Sequence, residues 1–376
     1  MSIRLGIFYP NARSIHVCAP KVVAENPDLF DYDVHRDLAQ TAESVGFDYA
    51  FMADGWGSFG PAAYAGEYYD PIILSPLLAM HLLSATKRLR CISTVHTSFF
   101  HPLLIARIGG ALDALSKGRW GINIVTGSGF GENLDKKAFG SMSSAQRYDR
   151  AAETMEILFK AWNNEKIELD GTYFQVDGRL VGPPASMKPL IVSAGASDAG
   201  RQFAGKYADY IFMPGRTPRE ELVKRYADIK RIASECGRPA DAVQLQVHAS
   251  VVVRETAAEA KEYSNWIAEN VDLEIVAEYL NGVRGGISTY DDVYRSLGDL
   301  QMRQVGSVAG ARKIHGSADE VADHIEMLYR EFGCNGVAVS FPVWTTDEVK
   351  RFGELVMPRL KAKGIWVPPS EHNWSW

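Results

Sequence analysis

Short apolar runs alternate along the chain with longer segments that have helical periodicity. Eight runs have the length and the β-branched content of strands, namely residues 3–10, 48–54, 89–97, 120–127, 189–195, 209–215, 243–253 and 336–341. They are almost continuously apolar, which is typical of parallel strands covered on both faces. Strands that alternate with helices form a doubly wound sheet or a closed barrel, and eight units favour the barrel. We therefore predict an α/β protein with a (β/α)8 TIM barrel.

Two segments depart from this alternation. Residues about 166–182 read IELDGTYFQVDGRLVG from Ile167 onward, which predicts a β-hairpin that turns at Asp170-Gly171. Residues about 257–313 form a long insertion before the last strand, and an insertion of that size is a candidate lid over an active site. Because no linker-like change in composition divides the chain, we predict a single domain over residues 1–376.

The composition excludes several classes of protein. Of 376 residues, 46% are hydrophobic and the formal charge is -6, which argues against a disordered chain and against nucleic acid as a partner. The four cysteines form no CxxC pair, so neither a disulfide framework nor a zinc site is predicted. The longest apolar stretch, Pro71 to Thr86, contains two prolines and is too short for a membrane span. The N-terminus becomes polar too early for a signal peptide, so we expect a cytoplasmic protein without a membrane partner.

The C-terminal ends of barrel strands carry the chemistry of this fold, and here they are polar with few charges. They contain Asn11, Asp54, His96, Thr97, Asn123, Thr126, Ser197 and Phe341. No carboxylates converge there, and the sequence has no HExxH or GxSxG motif and no lysine at a strand end. Metal-dependent hydrolysis, serine hydrolysis and Schiff-base chemistry are therefore disfavoured, and we predict no metal site.

Glycines mark a possible phosphate site. The segment from Gly195 to Gly200 follows a strand and opens a helix, so its N–H groups and the Ser197 hydroxyl suit an anion; an ordinary serine N-cap is the other interpretation. A phosphate site without catalytic acids or metals indicates that a cofactor performs the chemistry. Aromatic residues on the early loops suit a flat ring, although each could simply be packing: Trp56, Phe59, Tyr64, Phe99 and Phe100.

Several motifs resemble one family. Residues 101–107, 112–119, 121–127, 147–148, 194–200 and 337–360 resemble the bacterial-luciferase-like FMN-dependent two-component monooxygenases, and the similarity runs in order over nearly the whole chain. The nearest groups are the pyrimidine, dimethyl-sulfone and alkanesulfonate monooxygenases. The resemblance implies a TIM barrel that binds reduced FMN (FMNH2) from a separate NAD(P)H-dependent flavin reductase and uses O2 to oxygenate a small organic substrate. It also implies a homodimer or homotetramer.

The resemblance implies roles for matching residues. Asn123 would hydrogen-bond the flavin ring, and Thr97 would lie at the N5–C4a edge, where oxygen reacts; we take both as catalytic. The remaining cofactor contacts would be Asp54 and Gly55 at the ring, Glu132, Arg147 and Tyr148 at the ribityl chain or phosphate, and Ala194, Gly195, Ser197 and Gly200 at the phosphate.

The departures from the family concern the substrate. Where the alkanesulfonate enzymes carry an arginine and a histidine on the seventh strand, this chain has His248 and Ser250, and Ser307 stands near their lid arginine. A sulfonate without guanidinium partners is disfavoured, so a neutral heterocyclic or organosulfur substrate fits better. His248 is a candidate catalytic residue or substrate contact, or else a core histidine. A deazaflavin-dependent oxidoreductase, a flavin reductase and a non-catalytic flavin-binding accessory protein remain alternatives.

Overall fold

The computed structural model describes residues 2–127, 134, 142–195, 197–284 and 297–373. Its strands, in chain order, are β1 (Arg4–Tyr9), β2 (Tyr49–Met52), β3 (Arg90–His96), β4 (Trp120–Val125), β5 (Ile167–Asp170), β6 (Gln175–Gly178), β7 (Leu190–Ser193), β8 (Tyr210–Met213), β9 (Gln244–Val253), β10 (Arg312–Gly316) and β11 (Cys334–Ser340). Eight of them coincide with the eight predicted strands.

Those eight strands close into a parallel barrel. The neighbours run in the order β9-β11-β1-β2-β3-β4-β7-β8, and β8 pairs with β9 to complete the circle. Every pairing in the circle is parallel. The predicted (β/α)8 barrel is therefore confirmed.

Side chains alternate between the inside and the outside of the barrel, as the two-residue period of a strand requires. On β9, Leu245 and Val247 belong to the large core between the strands and the surrounding helices. Gln246 lies between these two residues and His248 follows them, and both are buried on the opposite face, inside the barrel. The barrel interior thus contains buried polar groups of β9.

Helices connect the strands. They are α1 (Pro20–Val23), α2 (Tyr32–Val45), α3 (Pro61–Ala65), α4 (Ser75–Ala85), α5 (Pro102–Ser116), α6 (Ser144–Trp162), α7 (Asp198–Tyr207), α8 (Arg219–Glu235), α9 (Ala257–Glu269), α10 (Leu273–Arg284), α11 (Asp299–Gly306), α12 (Ala318–Phe332), α13 (Thr346–Leu355) and α14 (Met357–Ala362). A 3-10 helix, Pro369–His372, follows. Within the described ranges, no helix is long and apolar enough to span a bilayer.

The hairpin insertion agrees with the prediction, and one strand was missed. β5 and β6 pair antiparallel, and Gly171 N–H donates to the carbonyl of Phe174 across the turn. β10 (Arg312–Gly316) begins at the end of the insertion that was predicted as a lid and continues beyond it. It pairs in parallel with the second half of β9, from Ala249 to Val253, beyond the part that pairs with β8.

The long insertion forms a helical cap, which we define as α9, α10 and α11. Its apolar side chains, among them Ile275 and Tyr279, share a second hydrophobic cluster with Cys18 and Tyr68 from the loops after β1 and β2. Glu278 of α10 also accepts hydrogen bonds from the N–H groups at the start of α3, at 3.1 and 2.7 Å. The cap is therefore fixed to loops at the C-terminal end of the barrel.

Candidate active site at the C-terminal end of the barrel

Thr97 and Asn123 lie side by side on adjacent strands. Asn123 pairs in register with Thr94, and its amide donates to the Thr94 hydroxyl at 3.0 Å. Thr97 immediately follows β3, and its N–H donates to the carbonyl of Val125 at 2.9 Å. Both side chains are almost completely buried, at 1% exposed for Thr97 and 4% for Asn123. Two neutral polar groups therefore occupy the ends of β3 and β4.

The Asn123 amide oxygen is a buried acceptor without a hydrogen-bond partner among the described residues. Its NH2 group is engaged with Thr94, and the Thr94 hydroxyl in turn donates to the Met52 carbonyl at 2.7 Å. This chain of hydrogen bonds fixes the orientation of the amide. An unsatisfied buried carbonyl costs about 1–3 kcal/mol, so this atom is suited to accept a hydrogen bond from a ligand.

Asp54 and Gly55 follow β2 beside these residues. One carboxylate oxygen of Asp54 accepts from the Gly55 N–H at 2.9 Å and the other from the Ser75 N–H at 3.2 Å. Burial raises the pKa of Asp54 to about 6, and these hydrogen bonds oppose the rise. His96 reaches the Asp54 carbonyl at 3.3 Å, and burial lowers the pKa of its imidazole to about 4.

Three of the five predicted aromatic residues form one wall. Trp56 stacks on Phe99 with ring centroids 4.3 Å apart, and it meets Phe100 edge-on at 5.8 Å. Phe59 instead packs against Tyr279 of the cap, and Tyr64 is 65% exposed. The early aromatic residues therefore divide between this wall, the cap and the surface.

The predicted phosphate-binding residues lie together where β7 leads into α7. Ser197 is the N-cap of α7, and its hydroxyl accepts from the Gly200 N–H at 3.2 Å. The hydroxyl of Ser144, at the start of α6, lies 3.4 Å from it. Ala194 and Ser197 are exposed. The N-cap interpretation is thus correct, and the hydroxyls of Ser197 and Ser144 at two helix N-termini remain a suitable environment for an anion.

Arg147 and Tyr148 lie near the start of α6, and Tyr148 contacts the loop after β7. The Arg147 guanidinium donates to the Met142 carbonyl at 3.1 Å. Burial raises the pKa of Tyr148, whose hydroxyl hydrogen-bonds the Thr126 side chain. A Cβ atom at Gly195 would lie 1.9 Å from the Tyr148 hydroxyl oxygen, and one at Gly200 would lie 2.8 Å from the Gly195 carbonyl carbon. Only glycine therefore permits this contact between α6 and the loop after β7.

His248 lies inside the barrel next to a second histidine that the sequence did not single out. Its Nε2 atom is 2.8 Å from the Ser340 hydroxyl, and its ring centroid is 4.0 Å from that of His16 and 4.4 Å from that of Phe8. Burial and the neighbouring His16 lower the pKa of His248 well below the ordinary value, and burial lowers that of His16 to about 3. Both imidazoles are therefore neutral at physiological pH.

Two further residues bear on the candidate site, one that was predicted and one that was missed. Glu132 lies outside the described residues. Arg150 of α6 was missed, although its guanidinium donates to the Thr97 carbonyl; an arginine within a long helix gives no signal of such a contact. Among the described residues, no group of three or more His, Cys, Asp or Glu side chains could hold a metal ion.

The fold and the site together define a class of protein. A parallel eight-stranded barrel with an uncharged polar pocket at its strand ends, an adjoining helix N-terminus and a helical cap is typical of a cofactor-dependent barrel enzyme. The luciferase-like monooxygenase family model matches residues 3–336, so the chain belongs to that family. It is accordingly a flavin-dependent monooxygenase that acts on a small organic substrate.

Individual relatives are similar over almost their whole length. The pyrimidine monooxygenase RutA of Acinetobacter baylyi is 26% identical over 371 residues, which is 96% of this chain and 95% of that protein. The long-chain alkane monooxygenase LadA superposes with a TM-score of 0.85 at 26% identity, covering 98% of this chain and 93% of LadA. Riboflavin lyase RcaE has the same fold, with a TM-score of 0.87 at 24% identity over 98% of this chain and 93% of its own. The family resemblance is therefore confirmed.

Proposed function

We propose that the protein binds reduced FMN, receives it from a separate NAD(P)H-dependent flavin reductase, and uses O2 to oxygenate a small uncharged organic molecule. The observation that carries this proposal is the pairing of two sites on neighbouring strands. The ends of β3 and β4 offer neutral hydrogen-bonding groups. The loop after β7, the next strand in the sheet, offers a helix N-terminus with the exposed hydroxyl of Ser197.

The described residues fit a flavin mononucleotide at both ends. The unpartnered amide oxygen of Asn123 suits an N–H group of the ring, and Thr97 would lie at the ring edge, with the backbone of Asp54 and Gly55 next to it. The phosphate would be surrounded by Ala194, Gly195, Ser197 and Gly200.

The charge of a phosphate needs a cation close by. Arg147, beside Tyr148 on the first turn of α6, would supply it. When bound, the reduced flavin ring would supply the reaction with O2. The protein's part is to hold the ring, to orient the substrate and to exclude water.

The surroundings of His248 support an uncharged substrate. Phe8, Ser340 and two neutral imidazoles form the barrel interior on the side of β1, β9 and β11. The nearby Arg13 is engaged: it lies 3.2 Å from a carboxylate oxygen of Glu67 and donates to the Asn26 carbonyl at 3.1 Å. A sulfonate would find no ready cation among these residues, so a neutral heterocycle, as for the RutA relatives, is our first choice and an organosulfur compound our second.

We propose that the barrel and the cap act as one domain, with the cap protecting the flavin site from water. The shared cluster of α10 with the loops after β1 and β2 supports this arrangement. A homodimer or homotetramer is expected from the family. The cytoplasm is the expected compartment, and four free cysteines are compatible with its reducing conditions.

The proposal is tested by rapid mixing of the protein–FMNH2 complex with isotopically labelled O2 and a panel of pyrimidines, sulfones and sulfonates. We expect a neutral compound to accelerate flavin reoxidation and to acquire one labelled oxygen atom. If no compound changes reoxidation and all reduced flavin ends as hydrogen peroxide, the monooxygenase reaction proposed here is wrong. Tight binding of a reduced deazaflavin in place of FMNH2 would favour the deazaflavin alternative.

A further inference from the structure

Arg150 is a half-buried cation behind the proposed flavin edge. It lies on α6 one turn after Arg147, and its guanidinium donates to the carbonyl oxygen of Thr97. Thr97 stands just beyond the last residue of β3, where its N–H still pairs with β4. The arginine therefore supplies a donor for the main-chain carbonyl at the point where the strand ends.

The charge of Arg150 is not neutralised by an ion pair with any described residue. The acidic residue one turn along the helix, Glu153, is occupied elsewhere. Its carboxylate accepts the N–H groups of Thr172, Tyr173 and Phe174 in the hairpin turn, at 2.7, 2.9 and 3.0 Å. Burial lowers the pKa of Arg150, which remains a cation because a guanidinium is protonated at every physiological pH.

The hairpin fixes the position of this cation. The guanidinium carbon of Arg150 lies 5.0 Å from the centre of the Phe174 ring, within the range of a cation–π interaction. Phe174 is buried, and its ring packs edge-on against His101 at 5.4 Å. Glu153 holds the backbone of the same residue. The β5–β6 insertion thus serves as a support for one arginine side chain.

We infer that Arg150 is a positioning residue that, supported by Phe174, stabilises the reduced flavin relative to the oxidised flavin. The inference rests on the proposed function, since it places the ring edge at Thr97. Reduced FMN carries a negative charge on its ring at neutral pH, whereas the oxidised ring is neutral. A cation one peptide group away favours the anionic form, and the same contact fixes the Thr97 backbone at that edge.

The test compares two dissociation constants measured on the full chain. That of reduced FMN is measured under anaerobic conditions, and that of oxidised FMN is measured in air. In Arg150→Met, the binding of reduced FMN should weaken about tenfold relative to that of oxidised FMN. This is the order of magnitude expected for the loss of one nearby charge in a partly solvated site. Arg150→Lys keeps the charge and should recover much of the ratio. Phe174→Leu should give an intermediate shift with the charge still present.

Arg179→Met is the matched control, because Arg179 is an exposed arginine of the hairpin segment that donates to the Asn164 carbonyl. A purely structural role for Arg150 would weaken both forms of FMN equally, and an unchanged ratio in Arg150→Met would overturn the inference. Failure of the wild-type protein to bind FMNH2 would instead refute the proposed function, so the two failures are distinguishable. Variants that lose the wild-type circular dichroism spectrum are replaced by Arg150→Gln.

Discussion

Replacing Gly195 by alanine tests the contact that organises the phosphate end of the site. The added Cβ atom would lie 1.9 Å from the Tyr148 hydroxyl oxygen, 2.8 Å from its ring carbon Cζ and 3.0 Å from the Gly200 Cα. Contacts below 3.0 Å force something to move, and the Gly200 backbone cannot retreat without shifting the start of α7. The Tyr148 ring must therefore leave its position beside Thr126.

The size of the effect follows from the overlap. Inserting one methyl group into a packed contact of this kind costs about 1–3 kcal/mol in the free energy of unfolding. If Tyr148 and the loop after β7 surround the phosphate, the affinity for FMN should fall about tenfold, equivalent to about 1.4 kcal/mol, while riboflavin, which lacks the phosphate, should lose much less. The matched control is Gly182→Ala, whose new Cβ would meet nothing closer than 3.8 Å.

Two assays measure the outcome: urea unfolding for stability, and fluorescence titration with FMN and with riboflavin for binding. In a Tyr148→Ala background, Gly195→Ala should cost little further stability, because the side chain with which its Cβ clashes is absent. The reasoning is refuted if Gly195→Ala unfolds like the wild type and keeps the wild-type preference for FMN over riboflavin. Equal losses for both ligands would instead place Tyr148 away from the phosphate.

Three further predictions concern the ring, the barrel interior and the cap. Asn123→Ala removes the unpartnered acceptor and should weaken FMNH2 binding about tenfold in an anaerobic titration; unchanged affinity would contradict a ring contact. The folded-state pKa of His248 is depressed, so the unfolded chain binds an extra proton below pH 6.5 and the free energy of unfolding falls as the pH drops. His248→Gln should therefore flatten the slope of the unfolding free energy between pH 6.5 and about pH 5 by up to about 1.4 kcal/mol per pH unit, and an unchanged slope would contradict this account of His248. Glu278→Ala should lower the free energy of unfolding by about 1 kcal/mol, as the loss of a helix N-cap does, and should speed proteolysis within the cap. Glu274→Ala, on the exposed side of the same helix, should have neither effect.

The eight barrel strands were predictable because parallel strands are buried on both faces and therefore consist of continuous apolar runs. β10 escaped prediction for the opposite reason. Its sequence, RKIHG, is short and mostly polar, and only its pairing with the far half of β9 makes it a strand. Local pattern carries no information about such a tertiary pairing.

The same distinction applies to the candidate site. Thr97, Asn123 and Ser197 could be identified because each lies in the C-terminal half of a recognisable strand or shortly after one. His16 and Arg150 could not, since their importance depends on a loop that folds back over the barrel and on a helix face that meets the hairpin. These contacts join residues far apart in sequence, and a single sequence does not record them.

The central claim is that one cleft holds FMN with its phosphate at the start of α7 and its ring edge between Thr97 and Asn123. A crystal structure of the protein with FMN tests it most directly. We predict phosphate oxygens within hydrogen-bond distance of Ser197 and the loop after β7, and a ring N–H group facing the Asn123 amide oxygen. Electron density for FMN elsewhere on the barrel, or with its phosphate away from α7, would contradict the account.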